Sequence, residues 1–91
     1  MGEIEAKLKE LQVVVRQETF PPYHQSHGTP HSVVQRSFVF QFPQGIAEVD
    51  QTDYGHPGRF NPCHAKSIPL ALQPITGKIV SAAEALAALL D

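Results

Sequence analysis

Phe38, Phe40 and Phe42 fall on alternate positions of the segment Val33–Phe42, VVQRSFVFQF. A period of two is the spacing of one face of a β-strand, so the three rings point the same way. Ser37, Val39 and Gln41 take the opposite face, which reads as half wet. A sheet with one apolar face needs a cover, and both ends of the chain carry helical patterns able to supply one.

At the start, Ile4, Leu8 and Leu11 recur in steps of four and three among charged residues. That stripe predicts an amphipathic helix over 2–11, supported by the i,i+4 pairs Glu3–Lys7 and Glu5–Lys9. The β-branched run Val13-Val14-Val15 then predicts a strand over 12–19, ended by Pro21-Pro22. Residues 23–32 form a polar loop. Pro43-Gln44-Gly45 breaks the phenylalanine strand, and Ile46–Gln51 resumes a strand-like pattern. The three residues predict a tight hairpin with Gly45 at the left-handed position of a bulge.

Residues 52–66, TDYGHPGRFNPCHAK, read as a long loop, and loops of that length are commonly functional or mobile. Two short apolar segments follow, Ser67–Gln73 and Ile75–Val80, divided by Pro74; Ile68, Leu70 and Leu72 alternate in the first, and Ile79-Val80 looks strand-like. Ser81 with Glu84 three residues on has the form of a capping box, and Ala85–Leu90 then continues as a helix. This helix is apolar almost all round, so either both sides are buried in the domain or one side meets another chain. The expected architecture is α+β: an antiparallel sheet of about four strands, with N- and C-terminal helices packed on one face.

Composition narrows the picture. The 91 residues allow a single domain, 1–91, with a thin stability margin. Eight prolines, half of them between positions 57 and 74, restrict that region to short or irregular elements. One cysteine makes the fold independent of an oxidising compartment. A net charge of −2, with seven scattered Lys and Arg, argues against nucleic acid as a partner. No apolar run approaches the ~20 residues that span a bilayer, and no signal-peptide pattern is legible. The expectation is a cytoplasmic protein without a membrane partner.

Candidate chemistry sits in the two loops. His24, His27 and His31 share the first, and His56 and His64 flank Cys63 in the second. Imidazole and thiolate are common zinc ligands, but the paired spacing of a zinc site is missing, so solvated polar histidines are the plainer reading and no cofactor is expected. Cys63 as a histidine-activated nucleophile is a further alternative, against the commoner buried and inert thiol. Asp50, Asp53, Tyr54, His56, Arg59 and Cys63 together suggest a site for a small polar or anionic ligand, with Arg59 offering a planar fork; against this, Asp53 and the Gly-Pro pairs are also turn formers. The expected function is a small non-enzymatic binding module that self-associates as a homodimer, with Leu89 or Leu90 at or near the contact. The rival is a metal- or cysteine-dependent enzyme using loops 23–32 and 52–66.

Overall fold

The computed structural model describes residues 12–20, 32–53 and 59–90. Four strands run as an antiparallel meander: β1 (Val13–Phe20), β2 (Val33–Phe42), β3 (Gly45–Thr52) and β4 (His64–Ser67), in the order β1-β2-β3-β4. A 3-10 turn, Leu70–Ile75, leads into the helix α1 (Thr76–Leu90). The coarse α+β expectation therefore holds for the sheet and the C-terminal helix. The expected N-terminal helix lies outside the described residues.

The alternation in β2 sets the core. Phe38 and Phe40 are buried, and their ladder partners Val49 and Ala47 are buried on the same face. Val15 and Val13 of β1 stand opposite Phe38 and Phe40 on the other side. The hairpin closes through Pro43-Gln44, with Gly45 paired to Phe42 as the first residue of β3. Gly45 takes φ +138°, a region open to glycine. The expected three-residue turn with a left-handed bulge is thus a two-residue turn, with the unusual φ moved into the strand.

The fourth strand is where a loop was expected. His64–Ser67 has no apolar alternation, yet it pairs with β3 through Asp50↔His64, Val49↔Ala65 and Glu48↔Ser67. The register shifts by one residue between Glu48 and Val49, so Lys66 is the extra residue of a β-bulge. The segment expected to be apolar and alternating, Ser67–Gln73, instead turns at Pro69 into the 3-10 helix, where Leu72 is buried and Leu70 exposed.

α1 starts at Thr76, five residues before the expected cap at Ser81, which lies exposed within the helix. The strand-like Ile79-Val80 is part of its second turn. Ile79, Ala83 and Ala87 are buried at steps of four, with Val80, Ala82 and Leu86 packed alongside them. Alanine at two of the three central positions lets the helix backbone come close to the phenylalanine face. Leu89 and Leu90, at the far end, are 84% and 53% exposed. Among the described residues no helix is long and apolar enough to cross a membrane.

Phe40 is 1% exposed and lies at the centre of this packing. Phe40→Ala is expected to cost ~3–5 kcal/mol in urea unfolding. Gln41→Ala, on the exposed neighbour, should stay within ~0.5 kcal/mol. Equal small effects would place the strand out of register.

Candidate functional site

The sheet has two faces of different chemistry, and each carries a pocket. On the helix side the apolar rows end in a polar one: Gln17, Arg36 and Gln51 face one another across three strands. Arg36 is buried; its Nε donates to Gln17 Oε1 at 3.3 Å and its Nη1 to Gln51 Oε1 at 3.4 Å. The Phe60 ring lies 3.7 Å from the guanidinium carbon, close enough for a cation–π contact on a desolvated charge.

One row further, Asp53 is buried. Its Oδ1 accepts from the Val34 amide at 2.9 Å, and its own amide donates to the Val34 carbonyl. Cys63 is also buried, and its amide donates to Glu84 Oε1 at 2.6 Å. Glu84 thus ties the segment before β4 to the third turn of α1, instead of capping a helix start. A pocket of about 320 Å³ opens here, lined by Gln51, Phe60, Asn61, Pro62, Glu84 and the Ala87-Ala88 edge of α1. Two of its polar groups, on Gln51 and Glu84, are already engaged in holding the fold.

Of the residues singled out for a ligand, then, Asp53 and Cys63 lie in the interior and Arg59 is exposed. Tyr54 and His56 lie outside the described residues, as do His24, His27 and His31, while His64 is exposed on β4. Among the described residues no group of three or more His, Cys, Asp or Glu is placed to hold a metal ion. Burial pushes the Cys63 thiol up to about 11; the adjacent Glu84 carboxylate pushes the same way, against an opposing pull from Arg36. At neutral pH the sulfur is a thiol, not the thiolate that nucleophilic chemistry needs.

The opposite, open face is polar and carries both charge signs. Its pocket, of about 290 Å³, is lined by Arg16, Glu18 and Phe20 of β1, Gln35, Ser37 and Val39 of β2, Glu48 of β3 and Lys66 of β4. Period-two alternation on four strands brings them together, and Lys66, the extra residue of the β4 bulge, reaches Glu48 on this face. Lys66 Nζ lies 3.2 Å from Glu48 Oε2 and 3.8 Å from Asp50 Oδ2, and Gln35 Nε2 donates to Asp50 Oδ2 at 2.9 Å.

The two carboxyls divide their roles. Burial lifts the Asp50 pKa and the neighbouring Glu48 lifts it further. Burial also acts upward on Glu48, but bonds to Lys66, Asp50 and Ser37 outweigh it and hold its pKa below the ordinary value. Asp50 Oδ1 is buried without a hydrogen-bond partner among the described residues. Arg16 and Glu18 have no ion-pair partner among the described residues. Sequence reasoning named Asp50 but passed over Arg16, Glu18, Glu48 and Lys66. The signal for Glu48 was legible, since it alternates with Asp50 on a strand already recognised; Lys66 was hidden because HAKS carries no strand pattern of its own.

No family model matches the chain, and comparison with curated proteins and with solved structures gives no match.

Three outcomes follow from this geometry. In Glu84→Gln the charge beside Cys63 is lost while its burial remains, so labelling of the native thiol by a disulfide reagent should set in at lower pH than in wild type. The weakened bond should cost about 1 kcal/mol. Because the folded thiol's pKa is raised from 9.0 to about 11, its protonated form favours folding below pH 9, and stability should fall between those values. A strong chelator should leave the unfolding temperature unchanged; a large drop restored by zinc would establish a structural metal.

Proposed function

We propose that the chain is a small non-enzymatic binding module, acting as a homodimer, that takes a small polar ligand on the open face of its sheet. The observation that carries this reading is the open-face pocket, in which Arg16 and Lys66 stand against Glu18 and Glu48 around Gln35 and Ser37. Cations and carboxylates side by side favour a ligand bearing both charge signs, such as a free amino acid, over a simple anion. Phe20 and Val39 supply a small apolar floor for its carbon skeleton. The segment 2–11 belongs to the same proposal as a second cover on the helix side, its apolar stripe suited to Val13 and Val15. The rival enzyme reading gains no support from Cys63, whose sulfur is protonated and buried.

Amide NMR spectra recorded during titration with free amino acids, inorganic phosphate and ethylenediamine test the reading. Shifts of residues 35, 37, 48 and 66 with the amino acids, and weaker ones with the singly signed probes, are expected. Lys66→Met should reduce them several-fold. Shifts confined to Phe60, Asn61 and Glu84 would move the site to the helix side, and none with any probe would refute ligand binding of this class.

A further inference from the structure

The outer edge of β1 is a bare strand edge among the described residues. Among the described residues β1 has no neighbour on that side, and it runs for eight residues without proline, glycine or bulge. The other edge is blunted in the usual ways: β4 is four residues long, carries a bulge at Lys66 and is followed by Pro69. β1 instead exposes Val14, Arg16, Glu18 and Phe20 on the open face, an apolar residue at each end and opposite charges between.

That order is self-complementary. Resting on the homodimer reading above and naming its surface, we infer that two copies pair antiparallel along β1 with the two-fold axis at Gln17. Arg16 then stands opposite the partner's Glu18, and Val14 opposite the partner's Phe20, each pair occurring twice. On the helix side Val15 meets the partner's Thr19. Among registers that keep both open faces on the same side, a shift of two places one way sets Arg16 against the partner's Arg16. The same shift the other way sets Glu18 against the partner's Glu18. Like charges directly opposite one another destabilise a ladder, so one register is selected. The closed two-fold arrangement also uses up both free β1 edges and leaves the blunted β4 edges outermost. The two open faces become one eight-stranded face, and each pocket acquires the partner's Arg16 and Glu18 along its rim.

Light scattering coupled to size exclusion tests this on the full chain. Wild type is expected at the mass of two chains. Arg16→Glu and Glu18→Arg, each placing like charges opposite one another, are expected at one chain, with circular dichroism confirming that the fold persists. The double variant Arg16→Glu/Glu18→Arg restores opposite charges and is expected to restore the dimer. A wild-type mass of one chain over a wide concentration range would overturn the homodimer reading itself. A dimer that survives both single variants, or that Leu89→Glu separates while they do not, would overturn the β1 surface and leave the homodimer standing. Loss in both single variants without recovery in the double would overturn the Gln17-centred register.

Discussion

One helix, about 10 Å across, lies on a sheet whose strands are spaced ~4.8 Å apart. It can roof two strands well, and four only in part. Much of the molecule's asymmetry descends from that mismatch. The packed layer is Phe38, Phe40, Ala47 and Val49 beneath Ile79, Ala83 and Ala87, with Cys63 and Leu72 closing its margin. Where the roof thins, the sheet's own residues change character: Val13 is half-buried, Val15 exposed, and the next positions on that side of β1 are Gln17 and Thr19. A small core therefore follows from geometry as well as from chain length.

The same limit explains why polar chemistry gathers at the margins. Beyond the apolar rows, Arg36 is kept inside by two glutamine carbonyls and a phenylalanine ring, so its charge is desolvated but answered. On the opposite face no element among the described residues lies over the sheet. There the strands carry a mixed-charge surface, with Glu48 and Asp50 side by side and the Lys66 ammonium across from them. The interior arginine serves the architecture, and the charges of the open face stay at the surface.

Legibility from sequence followed the range of the forces involved. The phenylalanine strand and its hairpin were readable because alternation and a Pro-Gln-Gly break are local signals. The start of α1 was not, because Ile79-Val80 carries β propensity and Ser81 with Glu84 imitates a cap. Glu84 is in fact bonded to the amide of Cys63, 21 residues earlier. β4 was invisible for a related reason: HAKS has no pattern of its own, and its place comes from the edge of β3 and from Lys66 reaching Glu48 and Asp50. Of the site, the strand-borne carboxylates were within reach of a face-by-face reading. The arrangement around Phe60 and Cys63 depends on tertiary packing that no short window contains.

The turn at Gly45 has a consequence for anyone wishing to re-engineer the chain. Hairpin tips are ordinarily the safest places to insert a tag or an extra loop, because they touch little else. Here a β-carbon on Gly45 would come within 3.1 Å of the Pro69 ring, so the tip is seated against the strap that leads from the sheet to the helix. Lengthening it would press on that strap and disturb the docking of a helix some thirty residues away in sequence. The tip that looks most expendable is a poor site for grafting.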